Sequence, residues 1–131
     1  MYEYFAEILR TIDGDTVKAR VDLGMYTFTE VSLRFYGINA PELNTAAGQV
    51  AAMWVAANLW PGRKIKLTSH GLGKYGRWLS TIYLNPAAGG LWEQGYNPLN
   101  HLPYDDQSSD PAAYTINLID EMLARALGTP Q

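Results

Sequence analysis

Tyr26-Thr-Phe-Thr-Glu-Val-Ser-Leu-Arg-Phe-Tyr36, followed at once by Gly37-Ile-Asn-Ala-Pro41, is the stretch on which the fold turns. Its aromatic and β-branched residues (Tyr26, Thr27, Phe28, Thr29, Val31, Phe35) predict a strand, because such side chains suit a pleated, half-buried surface. Pro41 has no N–H to give to a ladder, so the segment before it breaks the strand. Upstream, apolar and polar residues roughly alternate from Tyr2 to Ile12 and again from Thr16 to Val21, which predicts two more strands. Asp13-Gly14-Asp15 and Asp22-Leu-Gly24 supply the reversals: glycine accepts positive φ, and aspartate side chains bond to nearby backbone N–H groups. Three consecutive strands with short turns make an antiparallel meander.

Downstream, Val50, Met53, Trp54, Ala57 and Trp60 recur at helical spacing and predict one apolar face of a helix from about Thr45 to Trp60. Pro61-Gly62 ends it. Two strands follow, Arg63–Thr68 and Arg77–Leu84, joined by His70-Gly-Leu-Gly-Lys-Tyr-Gly76. Ile116, Ile119, Leu123 and Ala126 predict a last helix over about Thr115–Leu127, with Gly128 as its stop. Between them, 85–113 is a segment of 29 residues rich in Gly, Pro, Asn, Asp and Ser, a length usually reserved for functional or mobile loops. The aromatics Tyr26, Phe28, Trp54 and Trp60 are expected in the core. The order β-β-β-α-β-β-loop-α is that of an α+β chain built on a small five-stranded Greek-key OB barrel with two main helices. One such domain is expected to span 1–131, with an insertion at about 85–113.

Composition sets bounds on function. The chain has 131 residues, 47% hydrophobic and 18% charged, which is ordinary globular composition. No cysteine is present, so there is no disulfide framework and no thiolate ligand or nucleophile. The longest apolar run, Val50–Ala57, is eight residues, too short to span a bilayer. Met1-Tyr-Glu-Tyr lacks the basic start and apolar run of a secretory signal, so the default expectation is cytoplasmic, with no membrane partner. The net charge of -3 is unevenly spread: residues 1–42 carry -3, residues 43–92 carry +5 with no acid, and residues 93–131 carry -5. The basic middle third (Arg63, Lys64, Lys66, Lys74, Arg77) reads either as a solvated hairpin or as a groove for phosphate.

Four elements carry polar groups that a strand-and-turn core does not require: Asp13-Gly-Asp15-Thr16, Arg34 within an apolar strand, Asn39-Ala-Pro-Glu42, and Lys74-Tyr-Gly-Arg77. Each alone has an ordinary reading, as a turn, a solvent-facing arginine, a surface acid or a hairpin tip. No P-loop, dinucleotide fingerprint or nucleophile elbow is present, and the lone His70 and His101 lack zinc-site spacing.

Together, Ile12-Asp-Gly-Asp-Thr16-Val-Lys, Leu33-Arg34-Phe-Tyr-Gly-Ile-Asn39-Ala-Pro-Glu42 and Lys74-Tyr-Gly-Arg77-Trp-Leu resemble the staphylococcal nuclease (thermonuclease) family over most of residues 2–84. The resemblance implies an OB barrel that gathers two arginines, a glutamate and one calcium ion around a scissile phosphate. By that resemblance Arg34 and Arg77 clamp the phosphate, a role suited to a planar, permanently charged guanidinium. Glu42 activates or orients water, Asp15 ligates calcium with the Ala40 backbone carbonyl, and Asp13 acts in the second layer through water. Lys74 and Tyr75 contact a neighbouring phosphate. The implied activity is calcium-dependent hydrolysis of single-stranded or denatured DNA, and of RNA as a second substrate, leaving 3′-phosphate ends.

Three departures accompany the resemblance. Asn39 stands where the family has a metal-binding aspartate, which removes one negative charge and opens the site to another divalent ion. The chain stops at Gln131 without the family's base-stacking tyrosines. The 85–113 segment is longer than the family's hairpin: its Trp92, Tyr96 and Tyr104 are candidates for a replacement stack, the segment itself for a contact between copies, and a variable surface insertion is the equally open ordinary reading. A catalytically weak or inactive OB module that binds nucleic acid or a protein is the alternative expectation.

Overall fold

A computed structural model describes residues 2–86, 91 and 109–131. Chain order runs β1 (Tyr2–Asp13), β2 (Thr16–Asp22), β3 (Phe28–Phe35), β4 (Ile38–Asn39), α1 (Ala46–Asn58), β5 (Lys64–Leu72), β6 (Trp78–Leu84), β7 (Ile116–Asn117), α2 (Leu118–Ala124) and β8 (Thr129–Pro130). The main sheet has the order β3-β2-β1-β5-β6-β7, and a further parallel pairing of β3 with β6 closes five of its strands into a barrel. This is an OB-like barrel with two helices. The antiparallel meander is as the alternation predicts, with Ala6 opposite Val21 and Val17 opposite Leu33. Closure rests on Leu33 opposite Trp78 and Phe35 opposite Ser80.

Alternation sends Ile8, Val17, Val21, Leu33, Phe35, Ile65, Leu67, Ile82 and Leu84 inward, where all are buried. Full burial of each such side chain contributes roughly 1.5–3 kcal/mol. α2 caps this core with Leu118, Ile119 and Met122. It is far shorter than predicted: Asn117 caps its start by accepting from the Ile119 and Asp120 N–H groups, and Arg125 closes it. The chain then turns at Ala126, at φ 55°, two residues before Gly128.

α1 presents a different face from the one its large apolar residues predict. Val50 is 57% and Met53 70% exposed, whereas Gly48, Ala51, Trp54, Val55 and Ala57 are buried. Small residues decide the packing because they allow close approach. A Cβ on Gly14, in the β1–β2 turn, would stand 2.9 Å from Ala40 Cβ and 3.0 Å from Ala51 Cβ. A Cβ on Gly48 would collide with the carbonyl oxygen of Glu42. Thr45 caps the helix, its Oγ1 accepting from Gly48 N at 3.0 Å and donating to Glu42 O at 2.6 Å. Such a cap contributes about 1 kcal/mol.

Two further expectations change. Trp54 and Trp60 are core residues as expected, but Phe28 is 45% and Tyr26 98% exposed. The β2–β3 reversal extends to Thr27, and Tyr26 belongs to its tip, with Gly24, Met25 and Tyr26 at φ of 88°, 54° and 59°. Left-handed backbone costs a non-glycine residue roughly 1–2 kcal/mol. The basic middle third is also dispersed. Arg63 is 1% exposed, donates to Asn58 O at 2.7 Å and stacks over Trp60. Lys64 lies over Phe5, and Lys66 over Tyr83 beside Glu3. No single cationic groove runs through these residues. Trp92, Tyr96, His101 and Tyr104 lie outside the described residues.

Candidate functional site

Asp13, Asp15, Arg34, Asn39, Ala40, Glu42 and Arg77 line one cleft of about 490 Å³, together with Pro41 and Leu43. Four elements build it. The β1–β2 turn delivers the two aspartates, and the end of β3 delivers Arg34. The β4–α1 connection delivers Asn39 to Glu42, anchored by the Gly48 and Thr45 contacts. Arg77 follows a 3-10 turn at Lys74–Gly76. Non-local pairing makes this convergence: Thr16 lies opposite Arg34 on β3, and Arg34 lies opposite Leu79 on β6.

The two arginines are held differently. Arg34 is half-buried and committed to the protein: Nη1 donates to Phe35 O (2.7 Å) and Ile38 O (2.8 Å), and Nη2 to Asn39 Oδ1 (2.7 Å). Its Nη2 also stands 3.4 Å from Asp15 Oδ2. Arg77 is tied through Nε alone, to Lys74 O at 3.2 Å, and among the described residues its terminal nitrogens hold no hydrogen bond. Tyr75 is almost fully exposed, at φ 62°, with its ring 5.9 Å from the Arg77 guanidinium. Lys74 is exposed beside it and does not line the cleft.

Asp15 is the hub of the acidic side. Its Oδ2 accepts from Ala40 N at 3.0 Å, its Oδ1 from Thr16 Oγ1 at 3.2 Å, and its own N–H donates to Asp13 Oδ1 at 3.1 Å. Asp15 therefore meets the N–H of Ala40, while the expected calcium ligand is that residue's carbonyl. Burial pushes the Asp13 carboxyl above its ordinary value of 3.8, and its hydrogen bond to and repulsion by Asp15 push it further.

Every candidate donor here is an oxygen: two carboxylates, one amide and one main chain. That set suits a hard divalent cation. The donor chemistry thus fits a calcium-type ion, which would share Asp15 and Asn39 with the Arg34 guanidinium that now stands as their counter-charge. Among the described residues no three or more His, Asp or Glu side chains form a metal cluster, so the amide and main-chain oxygens would complete the shell.

One feature near the cleft gave no sequence signal. Two residues beyond Arg34, the Tyr36 ring stacks on His70 at 3.9 Å and 8° between planes, and His70 Nε2 is 2.9 Å from Thr81 Oγ1. Tyr36 keeps 49% of its surface exposed. The pairing joins the turn after β3 to the end of β5, which no local pattern reveals.

The fold and site together define a class: a small closed β-barrel with two helices that carries a charged cleft of arginines and carboxylates. Among known proteins the chain is 32% identical over 83 residues to Protein ParB of Escherichia coli, an overlap of 63% of this chain and 44% of that protein. The chain thus spans less than half the length of that relative. No protein-family model matches it. Among the described residues, no helix is long and apolar enough to cross a membrane.

Proposed function

We propose that the protein is a metal-dependent phosphodiesterase of the staphylococcal nuclease type, acting on single-stranded or denatured DNA and on RNA as a second substrate. The observation that carries this reading is the convergence of Arg34, Arg77, Glu42, Asp13, Asp15 and Asn39 on one cleft from four separate elements. A barrel has no structural need to bring two arginines and three acids together.

Phosphodiester hydrolysis gathers negative charge on the phosphoryl oxygens, so positioning and electrostatics dominate catalysis. Arg77, with free terminal nitrogens, takes the phosphate oxygens in a bidentate grip. Arg34, fixed by four oxygens, presents its charge from a preset position and orders Asn39 and Asp15. Glu42, exposed on the cleft wall, anchors the attacking water and takes its proton. Asp15, Asn39 and the Ala40 main chain would hold calcium, with Asp13 behind them. When bound, the ion adds positive charge beside the phosphate. Attack in line expels the 5′-oxygen and leaves a 3′-phosphate. The exposed Tyr36 ring offers a base a stacking surface.

A second reading is supported by the Arg34–Asn39 hydrogen bond, which occupies an oxygen a cation would use. In that case the barrel binds nucleic acid without cutting it. Incubating the protein with denatured DNA and with RNA, in calcium and in chelator, decides between the two. Calcium-stimulated cleavage that disappears in Arg77→Ala supports the nuclease. Binding without cleavage in any divalent ion supports the module and sinks the first reading.

A further inference from the structure

The end of the barrel remote from the cleft carries an unexplained apolar projection. β2 runs from Thr16 at the cleft to Asp22, and β3 returns from Phe28 to Arg34, so the β2–β3 tip lies at the far end. At that tip Met25 is 96% and Tyr26 98% exposed. The turn is closed by Thr27 N donating to Gly24 O at 2.9 Å and Leu23 N donating to Thr27 O at 2.8 Å. Both central residues have positive φ, where asparagine and glycine are favoured. Two large apolar side chains therefore occupy strained positions and bury nothing within the described chain. Strain of this kind persists where it serves a function.

Beside the base of the same hairpin is a dish of about 260 Å³ on the outer face of the sheet. Phe5 and Phe28 line it, with Lys64 4.5 Å above the first ring and Arg20 4.3 Å above the second. Glu7 lies opposite both Arg20 and Lys64 in the ladders, and Asp22 opposite Phe28. Small-molecule pockets commonly fall in the range of about 300–1,000 Å³, so this volume suits one protruding side chain better than a free cofactor.

We propose that this end of the barrel is a self-association surface, in which the Met25-Tyr26 tip of each copy seats in the Phe5/Phe28 dish of a second copy about a two-fold axis. Tip and dish adjoin on one chain, so the rotation that brings one tip to its partner's dish also brings the partner's tip to the first dish. The dish holds two cations and two anions, so a like surface meets no net repulsion, and Arg20 of one copy finds Glu7 and Asp22 of the other. A polyanion or an acidic bilayer gains nothing from so balanced a surface. The tyrosine ring meets the open side of cations whose other side already stacks on Phe5 and Phe28.

Sedimentation velocity of the full chain from about 1 μM to about 1 mM tests the proposal. The expected result is a concentration-dependent doubling of mass. Met25→Asn combined with Tyr26→Gly weakens association at least about tenfold, as loss of an aromatic anchor does. The same double variant melts higher than the wild type at concentrations where both are monomeric, because the turn is relieved. That readout separates lost association from misfolding. Phe28→Ala, on the dish side with the tip intact, weakens association similarly. A wild type that stays monomeric throughout, or a dimer indifferent to both changes, overturns the proposal.

Discussion

Arg34 holds Asn39 through a 2.7 Å hydrogen bond from Nη2 to Oδ1, and the same nitrogen stands 3.4 Å from Asp15 Oδ2. One guanidinium thus neutralises the side of the cleft where a cation would sit. Asn39→Asp adds a carboxylate at that contact without changing its size. Calcium affinity rises with ligand charge. The expected outcome is about tenfold tighter calcium binding by titration calorimetry, with faster calcium-stimulated cleavage. Unchanged affinity in Asn39→Asp would remove Asn39 from the ligand set.

The two arginines separate by their contacts. Arg34 satisfies the carbonyls of Phe35 and Ile38 as well as Asn39, so Arg34→Ala leaves half-buried acceptors bare. Hydrogen bonds to a charged group are each worth about 1.5–3 kcal/mol, and a loss of about 2–4 kcal/mol in urea unfolding is expected for the group. Arg77 makes one hydrogen bond, to Lys74 O. Arg77→Ala should stay within about 0.5 kcal/mol of the wild type. Its cleavage rate should nonetheless fall by about 10²–10³, the usual effect of removing a charge-stabilising donor. Equal effects of the two substitutions on stability would contradict this division.

Much of the barrel was legible because alternation over β1 and β2 reports which side chains face inward. Closure followed only from the order of the elements, and which residues meet was not legible, since β3 meets β6 across more than forty residues and neither strand carries a mark of its partner. The α1 face was misread for a physical reason: Val50 and Met53 carry the hydrophobicity, while Gly48 and Ala51 permit the close contact. Neither reading of the basic middle third, solvated hairpin or phosphate groove, foresaw the burial of Arg63, because its partners Trp60 and Asn58 come from the end of the preceding helix and its connection. The seven residues expected around the scissile phosphate and the metal line one cleft, each at a turn or strand end that the barrel brings together, whereas Lys74 and Tyr75, expected at a neighbouring phosphate, lie outside it. What remained illegible was how each is held.

Asp13 gives the cleft a pH signature. Its folded carboxyl holds its proton above the ordinary value of 3.8, through burial first and then Asp15. Between 3.8 and the raised value, the folded protein binds more protons than the unfolded chain. This residue's contribution therefore falls as pH rises through that window, and the penalty remains at neutral pH. Asp13→Asn keeps an oxygen to accept from Asp15 N and removes the charge. The variant is expected to be the more stable at pH 7, with the difference vanishing towards pH 3. Urea midpoints across that range check it, and a wild type more stable than Asp13→Asn at pH 7 would reverse the sign.

Gly48 couples the helix to Glu42. A Cβ there meets the carbonyls of Glu42 and Pro41, both backbone and neither free to rotate away. Gly48→Ala should therefore destabilise, by about 1–3 kcal/mol as overpacking does, although alanine is the better helix former. Calorimetric melting measures the loss. Any gain in stability would mean that the 41–45 segment moves freely, and Glu42 with it.

Tyr36 tests whether the proposed substrate is read by its base. The ring is backed on one face by His70 and half exposed. Stacking on an aromatic contributes about 1–3 kcal/mol per base, a factor of roughly 5–150 in affinity. Tyr36→Ala should lose this for a short oligonucleotide, whereas Tyr36→Phe should retain it, because the hydroxyl takes no part in stacking. An abasic oligonucleotide should bind both variants and the wild type alike. If the wild type binds abasic and base-bearing strands equally well, Tyr36 is not a platform, and phosphate recognition by Arg77 stands without it. If Tyr36→Ala weakens both strands together, the residue acts instead by placing Arg34 two positions back along the chain.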